Sequence, residues 1–294
     1  MKKLLVVILG LMIAASAPAD ARTVKVVASF TVLADMAKQI GGVHVEVHSL
    51  VGPNGDPHVY EPTPADGQTL AGADIVLVSG LGLEGWMDRL IRASGTRAPV
   101  VVASQGIVTR HMVDDGKEIT DPHAWNSAAN GVIYARNITD ALASADPADA
   151  ADIRANGARY VKQLQELDAW VRSEVKTMPL SKRKIITSHD AFGYMGAAYN
   201  IRFLAPEGFS TESEPSARDV AALIDQIRKE KIKVVYIENS NDPRLVQQLA
   251  SATGARIGGK LYPEALSEPD GPAPTYTRMF RYNVETLLHG MQGH

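Results

Sequence analysis

The 294-residue chain contains no cysteine. That excludes disulfides, thiolate metal ligands, a catalytic thiol and the lipid-modified cysteine that tethers many exported bacterial proteins. Any metal must be held by nitrogen and oxygen. The phosphate loop Gly-x-x-x-x-Gly-Lys-[Ser/Thr] is missing, so the chain carries no nucleotide site of that kind. There is no Gly-x-Ser-x-Gly elbow, and the consecutive Ser188-His189-Asp190 is not a catalytic triad, which is a spatial arrangement rather than a run. Basic residues are not in excess: 30 Lys and Arg against 33 Asp and Glu leave a net charge of −3, which argues against nucleic acid as a partner.

Long apolar runs are also scarce. Residues Met1 to Ala21 carry Lys2 and Lys3, an apolar run from Leu4 to Ala15 and the ending Ala19-Asp20-Ala21, the pattern of a secretory signal cleaved before Arg22. The run is shorter than the roughly 20 residues a membrane helix needs, and no later stretch approaches that length. The exported protein is therefore expected to be soluble outside the cytoplasm, with no lipid anchor. About 273 residues after the leader suit two domains.

What is present is a layered alternation. Val24 to Ser29, Val43 to Val51, Ile75 to Ser79 and Val100 to Ala103 read as strands, with helices over Val32 to Ile40 and Leu83 to Arg92. A helix is expected from Ser127 towards Ile138. A longer helical segment of about 30 residues, about 45 Å, follows from Asp146 as N-cap, with Pro147 at its first position, Asp149 in its first turn and Pro179 as its stop. Tyr160, Leu164, Leu167, Val171, Val175 and Met178 give it one apolar stripe. Beyond it, strands are expected at Lys184 to Thr187, Val234 to Glu238 and Arg256 to Leu261, with helices at Ala217 to Lys229, Arg244 to Thr253 and Met279 to Leu288. Ser210 to Pro215 is expected to cap the helix beginning near Ser216. The reading is an α/β protein of two similar lobes with central sheets: residues 22–145, a rigid linking helix over 146–179, and residues 180–294.

Eight histidines are present, and three have similar neighbours. Asp56-Pro57-His58 and Asp121-Pro122-His123 stand 65 residues apart, and His189-Asp190 follows after another 66. Imidazole is the commonest metal ligand, proline fixes the backbone that aims it, and an adjacent carboxylate can accept the second ring N–H. His58 and His189 fall after strands, where open α/β sheets place their ligands. Glu264 follows the last strand in the equivalent position to His189 and is the candidate fourth ligand; Asp270, six residues on, is its nearest rival. Trp125 and Tyr194 are expected to wall the cleft. Glu61 and Asp190 could orient a ligand or hydrogen-bond loop backbone. His44 and His48 flank a strand some 13 Å apart at about 3.3 Å per residue and read as solvated. Three imidazoles and a carboxylate suit Zn²⁺, whereas Mn²⁺ prefers more oxygen. A three-histidine zinc with bound water, and Glu264 as general base, would instead make a hydrolase.

Four ordered motifs carry a resemblance: Gly55-Asp56-Pro57-His58-Val59-Tyr60-Glu61-Pro62-Thr63-Pro64, Asp121-Pro122-His123-Ala124-Trp125, Thr187-Ser188-His189-Asp190-Ala191-Phe192-Gly193-Tyr194, and the segment from Leu261 to Tyr276. Over essentially the whole chain after the leader, the sequence resembles the periplasmic substrate-binding proteins of bacterial ABC transporters for zinc and manganese. The resemblance implies two lobes joined by one long helix, the metal in the cleft between them, and His58, His123, His189 and Glu264 as its ligands. Glu264 stands where the family's fourth ligand is usually aspartate. It also implies a high-affinity receptor, not an enzyme, that delivers Zn²⁺ as transported ligand to an inner-membrane permease with a separate ATPase. The receptor is expected to be a monomer, and an accessory metal-delivery protein is a further candidate partner. Histidine as third ligand is common in the family's zinc receptors, and glutamate in its manganese receptors. The His-rich loop of many zinc receptors is absent, since His111 is the only histidine between His58 and His123, so Mn²⁺ is the alternative cargo.

Overall fold

A computed structural model describes residues 23–114, 116–205, 216–240 and 242–292. The leader and the Ser210 to Pro215 cap lie outside these residues. In the first lobe, β1 (Val24–Ala28), β2 (Val45–Ser49), β3 (Ile75–Val78) and β4 (Val100–Val102) form one parallel sheet in the order β2-β1-β3-β4. β1 and β3 are apolar at nearly every position, as strands covered on both faces require. The crossovers are α1 (Thr31–Gly41), α2 (Pro64–Ala71) and α3 (Met87–Ser94). Thr63 and Asp66 close a reciprocal capping box at the start of α2, with Pro64 at its first position. The strand expected from Val43 starts at Val45, because Gly42–His44 forms a 3₁₀ turn.

An antiparallel hairpin, β5 (His111–Asp114) and β6 (Lys117–Thr120), leads into the second Asp-Pro-His. A 3₁₀ turn over Ala124–Asn126 then precedes α4 (Ala128–Ala145), capped by Ser127. The long helix α5 (Ala150–Lys176) begins four residues later than Asp146. Asp146 precedes proline, which disfavours helical ψ; it adopts φ −125° and ψ 81° and ends α4 instead of starting α5. Its Oδ1 accepts the Asp149 N–H across the turn at 3.3 Å. The 27 residues of α5 still span about 40 Å.

The second lobe repeats the plan. β7 (Lys184–Ile186), α6 (Gly193–Tyr199), β8 (Arg202–Leu204), α7 (Ala217–Glu230), β9 (Val234–Glu238), α8 (Arg244–Thr253) and β10 (Arg256–Leu261) build a parallel sheet in the order β10-β9-β7-β8. α9 (Tyr276–Gln292) closes the chain against β10 and β7.

The stripe expected on α5 is buried at every position from Tyr160 to Met178. α5 packs on α1 and α4 of the first lobe and on α6 and α9 of the second, and a single apolar cluster runs through both lobes. A smaller one lies under α7 and α8. Direct hydrogen bonds cross the seam: Leu266 N–H to Thr31 Oγ1 at 2.9 Å, and Tyr276 N–H to Asp35 Oδ2 at 2.8 Å.

Candidate metal centre

His58, His123, His189 and Glu264 converge between the lobes, with one donor atom from each lying within 4.8 Å of the others. His58 Nε2 is 3.0 Å from His123 Nε2 and 3.2 Å from Glu264 Oε2, and His189 Nε2 is 3.5 Å from the same oxygen. Asp270 is exposed on the loop beyond and does not join them.

Both Asp-Pro-His tripeptides build the same local turn, in which the aspartate Oδ1 accepts the histidine N–H two residues on, at 2.8 Å for His58 and 2.9 Å for His123. Asp121 Oδ1 also faces His123 Nδ1 at 2.9 Å, as the sequence suggested. Asp121 is seated closely: a Cβ on Gly193 would lie 2.5 Å from its Oδ2. For His189 the partner is not its neighbour Asp190 but Glu238, at the end of β9, whose Oε2 holds His189 Nδ1. With Nδ1 of His123 and His189 each held by a carboxylate, Nε2 is the nitrogen that each ring turns to the centre.

The loops are fixed from behind by Trp125 and Tyr194 and by three residues that sequence reading did not single out, Trp86, Asn126 and Ser240. Trp86 Nε1 donates to Pro57 O at 2.8 Å and sets the His58 loop. Asn126 Nδ2 donates to both Ala191 O and Pro263 O at 2.9 Å, and Trp125 Nε1 donates to Pro263 O at 2.8 Å. The first lobe thus grips both loops that carry second-lobe donors. Tyr194 does not so much wall the cleft as brace it, donating to Asp121 O at 3.1 Å and accepting the Arg110 N–H at 3.0 Å. On the second-lobe side, Ser240 Oγ donates to Glu264 Oε1 at 2.7 Å. Trp86, Asn126 and Ser240 are single residues with no pattern in the chain to mark them.

Electrostatics sort the donors. Burial pushes His189 down, but the Glu238 and Glu264 carboxylates outweigh it and hold its pKa well above the ordinary histidine value. Burial pushes His123 down; Asp121 opposes this, while His58 and His189 add to it, and the net shift is downward. Burial also lowers His58, but Glu264 and Asp56 raise it further, so the net shift is upward. Burial would raise Glu264, yet His189 and His58 hold it well below the usual carboxylate range. Asp190 is raised by burial and by Asp121, and lies outside the donor set. Glu61 is exposed.

His44 corrects the sequence reading. It is not solvated: its Nδ1 lies 3.0 Å from Asp149 Oδ2, with its side chain 17% exposed, so it joins the turn after α1 to the start of α5.

The sequence matches the family model "Zinc-uptake complex component A periplasmic" over residues 26–290. The manganese-binding lipoprotein MntA of Bacillus subtilis is 34% identical over 274 residues, covering 91% of this chain and 90% of that protein. The iron-binding protein YfeA of Yersinia pestis is 34% identical over 276 residues, covering 93% and 88%. The periplasmic zinc binding protein TroA from Treponema pallidum has the same fold at a TM-score of 0.86 and 29% identity, covering 92% of this chain and 99% of that one. The relatives' printed metals differ, and the Bacillus protein is a lipoprotein, so neither zinc nor the unanchored form carries over from likeness alone. Among the described residues no helix is long and apolar enough to cross a membrane. The chain belongs to the zinc-uptake component A family of periplasmic metal-binding receptors, which are substrate-binding proteins of metal ABC transporters and not enzymes.

Proposed function

We propose that this receptor captures Zn²⁺ outside the inner membrane through His58, His123, His189 and Glu264 and delivers it to a permease. The observation that carries the reading is the donor set: three imidazole nitrogens and one carboxylate oxygen with separations of 3.0, 3.2 and 3.5 Å. A four-coordinate zinc with bonds of about 2.1 Å has donors about 3.4 Å apart. Nitrogen-rich tetrahedral sites favour zinc, whereas manganese takes more oxygen. Manganese is the second reading, favoured by the 34% identity to a manganese-binding relative. The domain limits expected from the sequence fit this role once the linker is shortened to 150–176, leaving 23–149 and 177–292 as the two lobes.

Competition between Zn²⁺ and Mn²⁺ for the purified protein, followed by calorimetry, tests the assignment. Zinc is expected to displace manganese completely at equal concentration. Displacement in the other direction would assign manganese.

A pH prediction follows from His189. The Glu238 and Glu264 carboxylates raise its pKa above the ordinary histidine value, so the metal-free site holds a proton to higher pH than a free imidazole does, and zinc must displace that proton. Apparent zinc affinity is expected to fall by about tenfold per pH unit for each displaced proton as pH drops. For the metal-free fold the sign is opposite: the stabilisation from protonated His189 is fully present below the ordinary histidine pKa and is lost as pH rises through the raised one. Titrations in two buffers with different heats of ionisation should differ by that heat per proton released. Identical heats would mean that His189 is neutral before binding.

A further inference from the structure

The donors follow β2, β6, β7 and β10, yet much of what holds them comes from the end of β9, which supplies no donor. Three consecutive residues there reach three different parts of the centre. Glu238 holds the ring of His189 and accepts the backbone N–H groups of Ser188 and His189 at 3.0 and 3.3 Å. Asn239 Nδ2 donates to Asn54 Oδ1 at 3.1 Å and to Ala265 O at 3.2 Å, tying the His58 loop to the Glu264 loop. Asn54 can serve this contact because it adopts the left-handed conformation, at φ 57°, and its N–H reaches Leu266 O at 3.0 Å. Ser240 holds Glu264 Oε1 at 2.7 Å.

We infer that Glu238-Asn239-Ser240 is the positioning segment of the centre, and that Ser240 sets its metal preference by holding Glu264 to a single donor oxygen. This rests on the reading of the centre as a zinc site. Oε2 makes no hydrogen bond of good geometry and faces His58 and His189, while Oε1 is turned to the Ser240 hydroxyl. Turning Oε1 inward would break that bond and leave the hydroxyl to find another partner. One oxygen with three imidazoles makes the four-donor shell that zinc takes; a second carboxylate oxygen makes the larger, oxygen-richer shell that manganese prefers. Glutamate has one more methylene than aspartate and so more ways to turn its carboxylate, and the serine removes that freedom.

The test compares wild type, Ser240→Ala and Ser240→Thr. Zinc and manganese affinities are measured by chelator competition, and the coordination number of the zinc-loaded proteins by X-ray absorption. Ser240→Ala is expected to retain zinc within a few-fold and to gain manganese affinity, lowering the zinc-over-manganese preference by about tenfold, the lower end of what residues behind the ligands contribute. The zinc shell should gain an oxygen, and Ser240→Thr, which keeps the hydroxyl, should restore both readouts. An unchanged preference and shell in Ser240→Ala would overturn the inference, as would a change that threonine fails to reverse. Wild-type protein that binds neither ion would instead remove the reading of the centre itself, and this inference with it.

Discussion

Replacing His123 with alanine should abolish most of the thermal stabilisation that zinc confers. His123 is 2% exposed, and its Nδ1 is fixed by Asp121, so its Nε2 is aimed before any ion arrives. Apparent binding energies of about 10–16 kcal/mol for four-ligand zinc sites put the loss of one ligand on the order of a hundredfold or more in affinity. Wild-type protein at a hundredfold excess over its dissociation constant gains about 2.7 kcal/mol by mass action. The variant at the same zinc concentration should show almost none of that shift. Glu264→Ala should weaken binding less than any histidine change, because water can take the place of one carboxylate oxygen. Melting curves with and without zinc decide both points: a full shift in the His123 variant would remove it from the donor set, and a larger loss from Glu264→Ala would reverse their ranking.

Leu164→Ala should lower the stability of the metal-free protein by about 2–5 kcal/mol. Leu164 is fully buried in the middle of α5, where the stripe joins the packing of both lobes. The loss combines the lost transfer free energy of the removed side-chain atoms with the cavity left behind. At roughly 2–4 °C per kcal/mol for a chain of this size, the midpoint should fall by about 4–20 °C. The unfolding curve should remain a single transition, since one apolar cluster runs through both lobes. Two resolved transitions would contradict a shared core.

That three histidines come together was legible because it is written locally: Asp-Pro-His makes the turn that places His58 and His123, and the strand pattern shows where the chain leaves the sheet before His189. The stripe of α5 was legible for the same reason. Its start was not, because Asp-Pro reads equally as a helix beginning and as the end of a preceding helix, and only the packing of α4 on α5 decides. The β5–β6 hairpin, α2, α6 and β8 are short and carry little periodicity. Glu238, Asn126, Trp86 and Ser240 were invisible as parts of the centre because each acts through hydrogen bonds that span 24 to 137 residues. His44 looked solvated because its partner Asp149 lies far along the chain.

Asn126 is two carbonyls' worth of attachment between halves that sequence distance keeps apart. A hybrid receptor made by joining the first half of this protein to the second half of a relative would therefore inherit a mismatched fastening wherever the foreign loops carry their carbonyl oxygens at another height. Domain exchange as a route to new cargo preference is thus constrained at the splice by geometry outside the ligand shell, and grafts of whole loop pairs are the smaller disturbance.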